Sequence, residues 1–258
     1  MSDGTVHLNI KLGVAAVIFD RPQARNAMTW AMYEQLGQIC AQLQADPTVR
    51  VVTFRGAGGE AFVAGTDIEQ FTAFHSGEDG VTYERQIDEC VQKLEKLSMP
   101  TVAVVEGWAV GGGLIIATAC DFRIATPASR FGVPIARTLG NCLSVANLAR
   151  LSAVVGLPRV KRMLMLAELM SAEEALACGF LLQIIEADKL DGTLSDLCER
   201  LGALAPVTQS VTKEGLRRLA SHDLLASEDL IRHCYGSNDF REGVAAFVSK
   251  RRPVWRGI

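Results

Sequence analysis

The chain has 258 residues, of which 49 % are hydrophobic and 21 % charged, a globular composition long enough to bury a substantial core. Lys plus Arg number 26 against 29 Asp plus Glu, and the formal net charge of −3 leaves no basic footprint for nucleic acid. No apolar run approaches the roughly 20 residues a membrane-spanning helix needs, so a membrane partner is not expected either. The first residues lack the basic and apolar segments of a signal peptide. Seven cysteines (Cys40, Cys90, Cys120, Cys142, Cys178, Cys198 and Cys234) form no Cys-x-x-Cys pair. An odd, scattered set of this kind is expected to stay reduced in a cytoplasmic compartment. The four histidines, His7, His75, His222 and His233, show no metal-ligand spacing, and no metal site is expected.

In chain order, Val6–Ile10 and Val14–Phe19 flank Lys11-Leu12-Gly13 and read as a β-hairpin. Thr29 is a candidate N-cap for a helix whose apolar positions Trp30, Tyr33, Leu36, Cys40 and Leu43 run to the Asp46-Pro47 stop. Val49–Phe54 reads as a buried strand, Val81–Leu97 as a helix and Thr101–Val105 as a second buried strand. A helix running to Cys120 and a strand over Phe122–Ala125 follow. Strand, loop and helix thus repeat with few hairpins, which argues for parallel β-α units. The second half changes character: Leu143–Val155, Pro158–Ala167 and Ser171–Cys178 read as helices, the last with a capping box, Ser171 and Glu174. After one strand candidate, Phe180–Ile185, the chain reads as helical near 189–204, 207–220, 226–235 and 239–250. The composition shift near residue 190 is the one boundary the sequence offers.

Two glycine loops stand out. Gly56-Ala57-Gly58-Gly59-Glu60-Ala61 fits the relaxed dinucleotide fingerprint, but Phe62-Val63-Ala64-Gly65 follows where a long helix is required, so a nicotinamide or flavin cofactor is not expected. Gly107 and Gly112 fit a phosphate loop, yet Gly113 and Leu114 stand where Lys and Ser or Thr are needed. Backbone chemistry remains. Glycines at a helix start let a ligand approach unpaired N–H groups closely, and a second amide source lies in Ala61–Asp67. Two such groups aimed at one point make an oxyanion hole. Close packing of helix on sheet is the other reading of the same glycines.

At these loops the sequence resembles the crotonase, or enoyl-CoA hydratase/isomerase, superfamily. The likeness runs from Asp20–Met28 through Val51–Gly59, Ala61–Ile68, Val105–Asp121 and Ser171–Ala175 to Asp239–Gly243 and Lys250–Pro253. It implies an α/β fold, a spiral of ββα turns over residues 1–190 that binds acyl-CoA. A C-terminal helical region, 191–258, would oligomerise the chain into a homotrimer or a dimer of trimers. It also implies an acyl-CoA thioester as substrate, with CoA as part of that substrate and no separate cofactor. Carried onto matching positions, the oxyanion-hole amides fall at Ala64 and Gly112. Ala24, Arg25, Ala27, Phe62, Thr66, Asp67 and Ile68 fall at CoA- or pantetheine-lining positions, with Asp67 read as a local cap rather than a catalyst. Trp108, Gly111, Ile115, Pro134, Ile135, Arg137 and Thr138 complete the expected substrate-binding set.

The departures matter as much. A hydratase of the family carries one glutamate three residues after the Gly112 position and another after the proline of Phe131-Gly132-Val133-Pro134. Here both are isoleucine, Ile115 and Ile135. Neither moves a proton, so two-glutamate hydration is not supported. Decarboxylation, isomerisation or thioester hydrolysis remain open, and a non-catalytic acyl-CoA-binding protein is the alternative. Arg137 either binds a substrate carboxylate or pairs with an acid at a subunit contact. Cys142 lacks a neighbouring histidine to act as a nucleophile. Glu106 reads as a support of the glycine loop, and His75, Tyr83 and Glu84 as surface residues. The basic end, Lys250-Arg251-Arg252 with Arg256, is either a phosphate contact or a solvated charge run.

Overall fold

Thr5–Lys11 (β1) and Val14–Asp20 (β2) pair antiparallel across Leu12 and Gly13, both at positive φ, the backbone a tight hairpin needs. This is the start of the fold in the computed structural model, which describes residues 3–204, 206–220, 232 and 235–254. Thr29 caps the first helix, α1 (Trp30–Ala45), accepting from the Met32 amide. A unit then repeats. β3 (Val51–Gly56), β4 (Ala61–Ala64) and α2 (Gly77–Glu95) are followed by β5 (Thr101–Val105), β6 (Trp108–Val110) and α3 (Gly112–Ala119), then by β7 (Phe122–Ala125), β8 (Arg130–Gly132) and α4 (Ile135–Thr138). The first strand of each unit enters a six-stranded sheet, β1-β2-β3-β5-β7-β10. The second enters a four-stranded sheet, β4-β6-β8-β9, where β9 is Met170–Ser171 and β10 is Gln183–Ile184. Only β1–β2 and β8–β9 pair antiparallel; every other pairing within the two sheets is parallel, as the strand–helix alternation predicts.

The four-stranded sheet is where sequence reading falls short. Its strands are two to four residues long, and β4 and β6 abut glycine, so neither alternation nor an apolar run identifies them. The strand expected over Phe180–Ile185 pairs only at Gln183–Ile184. Phe180 instead buries its ring, and its carbonyl accepts from Arg123 Nε at 2.6 Å.

The helices α5 (Val145–Val155), α6 (Leu157–Met165) and α7 (Ala172–Ala177) follow, then α8 (Leu190–Gly202), α9 (Pro206–Ala220) and α10 (Asn238–Val248). The main core packs Phe19, Phe54, Met32, Leu36 and Leu94 between the large sheet and the helices. A second core lies on the sheet's other face, where Leu190, Leu197, Cys198 and Leu201 of α8 cover Val51, Val102, Val104 and Ile124. The helix expected over 226–235 falls largely outside the described residues, as do Arg256, His222, His233 and Cys234. No helix among the described residues is long and apolar enough to cross a membrane.

Candidate active site

The parallel register Ala64↔Val110 between β4 and β6 lays Gly65 beside Gly111. Both have positive φ, +94° and +55°, and a Cβ at Gly111 would stand 3.5 Å from the Gly65 Cα. Glycine is favoured at both positions by this backbone conformation rather than by space, since an added Cβ would meet only ordinary contact distances. From this contact α3 begins at Gly112, whose amide has no acceptor among the described residues, so an unpaired N–H and the positive end of a helix face the same space.

That space is a cavity of about 180 Å³, walled by Ala64, Thr66, Ile68, Gly111, Gly112, Ile115, Pro134, Ile135 and Thr138 among others. Nine of the expected residues therefore meet at one site. The amide of Ala64 is engaged, donating to the Arg25 carbonyl at 3.0 Å. The amide of Thr66 has no acceptor among the described residues, and Thr66 lies beside Gly112: a Cβ on Gly112 would lie 3.4 Å from the Thr66 Oγ1. The Thr66 hydroxyl is held between two tyrosines, 2.9 Å from Tyr33 Oη and 2.9 Å from Tyr83 Oη. Burial pushes both phenols well above their ordinary range, so they stay protonated and act as neutral hydrogen-bonding groups.

Other expected residues lie elsewhere. Phe62 does not line the cavity; its ring is buried edge-on against Phe19, 5.5 Å between centroids, because β4 turns this side chain into the core. Asp67 is tied to Arg21 at 2.8 Å and accepts from the Glu69 amide, which makes it the cap of the turn at Ile68–Ala73. Ala24, Arg25 and Ala27 belong to the loop beside β4, with the Arg25 side chain exposed. Trp108 is 36 % exposed outside the cavity, and Arg137 is exposed on α4. Glu106, expected to support the glycine loop, pairs with Arg55 of β3 at 2.6 Å.

Tyr83 and Glu84 overturn their sequence reading. Both are buried and both line the cavity, while His75 is exposed. Glu84 is only 3 % exposed. One carboxyl oxygen accepts from Tyr235 Oη at 2.8 Å and the other from the Ser144 amide at 3.0 Å, and the Asn147 side chain adds a third bond. Burial pushes this carboxyl up to about 7, against the pull of those three donors. The signal was present in α2: Val81, Glu84, Ile87, Val91 and Leu94 share one helical face, and an acid on an otherwise apolar stripe marks an inward-facing group. What the sequence hides is Tyr235, 151 residues away, which closes over the carboxyl.

Comparison with known proteins follows this geometry. The family model "Enoyl-CoA hydratase/isomerase" matches residues 9–257. An (E)-benzylidenesuccinyl-CoA hydratase of Thauera aromatica is 32 % identical, over 98 % of this chain and 99 % of that protein. A short-chain-enoyl-CoA hydratase of Clostridium acetobutylicum is 31 % identical, over 93 % and 92 %. Among solved structures, methylmalonyl-CoA decarboxylase in complex with 2-nitronate-propionyl-CoA superposes with a TM-score of 0.89 at 26 % identity, covering 98 % of each chain.

Proposed function

This chain belongs to the enoyl-CoA hydratase/isomerase family, and from that premise we propose that it converts an acyl-CoA thioester through an enolate held at the amides of Gly112 and Thr66. The observation that carries the reading is the pair of unengaged N–H groups on adjacent loops, opening on an apolar cavity at the positive end of α3. Two such donors, fixed before the reaction, stabilise the charge that develops on the thioester oxygen; each contributes about 3–4 kcal/mol to the transition state. The Arg25 carbonyl already occupies the Ala64 amide, which favours Thr66 over Ala64 as the second donor. The cavity takes the acyl end only, since CoA far exceeds about 180 Å³. The remainder of CoA would run outward past the loop of Ala24, Arg25 and Ala27.

Ile115 and Ile135 in the cavity wall favour a reaction that needs no activated water. Decarboxylation fits best: when a β-carboxylate leaves as carbon dioxide, the electron pair of the broken C–C bond remains as the enolate. Arg137, exposed on α4 between the cavity-lining Ile135 and Thr138, would meet such a carboxylate on its way in. The likeness to a decarboxylase complex at TM-score 0.89 supports this choice. The same reading takes the chain as cytoplasmic and as a trimer or paired trimer, in which exposed Leu157, Met165 and Leu166 would be covered. The test is turnover of purified protein on malonyl- and methylmalonyl-type CoA thioesters beside crotonyl-CoA. Carbon dioxide release without crotonyl-CoA hydration is the expected result. Rapid hydration would overturn it, and thioester binding without conversion of any substrate would favour the non-catalytic binding protein.

A further inference from the structure

We infer that Glu84 is the group that takes and returns the proton at the substrate α-carbon, in place of the glutamates that Ile115 and Ile135 replace; this rests on the acyl-CoA reading above. Glu84 is the one carboxyl group lining the cavity among the described residues. The other nearby acids are committed elsewhere, Asp67 to Arg21 and Glu106 to Arg55. Tyr33 and Tyr83 are bonded to Thr66.

The geometry leaves Glu84 capacity to act. A carboxylate offers about four acceptor sites, and Tyr235, Ser144 and Asn147 fill three. Those bonds fix the rotamer and orientation, and the Asn141 side chain donates to Tyr235 Oη in turn, at 3.4 Å. The same wall carries Asn141 Oδ1, a buried acceptor with no partner among the described residues, so this end of the cavity is built to meet polar atoms.

The step balances simply. As base, the Glu84 carboxylate takes the α-proton; the C–H electron pair becomes the enolate, with its charge on the thioester oxygen between the two amides. In reverse, or after loss of carbon dioxide, the Glu84 carboxylic acid gives its proton to the α-carbon and becomes the carboxylate. Near neutral pH both forms are populated, because burial raises the carboxyl to about 7. The titratable groups around it are Tyr33 on α1, Tyr83 and Asp88 on α2, and Tyr235; Arg150 on α5 neutralises Asp88 at 2.9 Å.

The experiment follows hydrogen–deuterium exchange at the α-carbon of butyryl-CoA in D2O, with binding measured separately by thermal shift. Wild-type protein is expected to exchange the α-protons. E84Q is expected to bind butyryl-CoA but exchange at least about 100-fold more slowly, the usual scale for losing a general acid–base group. Y235F removes a donor that favours the carboxylate, so the pH at which exchange switches on should move upward, a change that a purely structural role would not produce. If E84Q exchanges at the wild-type rate, or if the Y235F limb stays in place, the assignment of Glu84 fails while the enolate reading stands. If wild-type protein exchanges nothing, both fail together.

Discussion

A methyl group at Gly112 would stand 2.5 Å from the Tyr33 hydroxyl oxygen but 3.8 Å from the ring carbon that bears it. The clash is therefore with one atom, and that atom also holds the Thr66 hydroxyl. Gly112→Ala is expected to destabilise by about 1–3 kcal/mol, as overpacking does, and to depress turnover by pushing the hole apart. Tyr33→Phe removes the obstructing oxygen and leaves Tyr83 to hold Thr66. The double variant Y33F/G112A should then recover most of the stability lost by G112A alone, as measured by urea unfolding of the four proteins of the cycle. Additive losses would mean that Tyr33 is not what Gly112 makes room for.

At the scale of elements, the site depends on how α3 sits against β4. Gly113, one residue on, would bring its Cβ to 1.9 Å from the Val63 carbonyl oxygen, a strand atom that no side-chain change removes. Gly113→Ala should cost more than G112A, and Y33F should not rescue it; thermal melts of the same set decide. The two glycines thus embody both readings the sequence leaves open, Gly113 packing helix on sheet and Gly112 presenting an amide. Much of the large sheet and most helices were legible because β3, β5 and β7 are apolar runs and α1 and α2 carry helical stripes. The small sheet was not. Its short strands draw their stability from pairing across the chain rather than from local pattern, and it is this sheet that aligns Gly65 with Gly111. That the Ala64 amide is engaged while the Thr66 amide, two residues on, is not was equally hidden, since it turns on the backbone bond from Ala64 to Arg25.

For the whole molecule, the aromatic packing that seals the cavity joins distant segments. Phe71 and Phe74 meet Tyr83 from α2 and Phe240 from α10, and Tyr235 packs at a tilt on Phe240 with 4.7 Å between centroids. Glu84 lies under this cover, so the molecule carries a stability cost that varies with pH. Its carboxyl binds a proton more tightly folded, near 7, than unfolded, at 4.5. The favourable contribution is complete below the unfolded value and is lost as pH rises through the folded one. Between pH 4.5 and 8 the unfolding free energy of wild-type protein should fall by about 3 kcal/mol relative to E84Q, whose side chain does not titrate. Denaturant unfolding of both proteins at several pH values measures this; a difference that stays constant would show that Glu84 titrates normally.

A crystal structure with 2-nitronate-propionyl-CoA would show directly which amides hold the thioester oxygen. The oxygen is expected within about 3 Å of the amide nitrogens of both Gly112 and Thr66, with the Ala64–Arg25 bond intact and Glu84 facing the α-carbon. An oxygen seated on the Ala64 amide with the Arg25 carbonyl displaced, or a thioester outside the cavity, would contradict it.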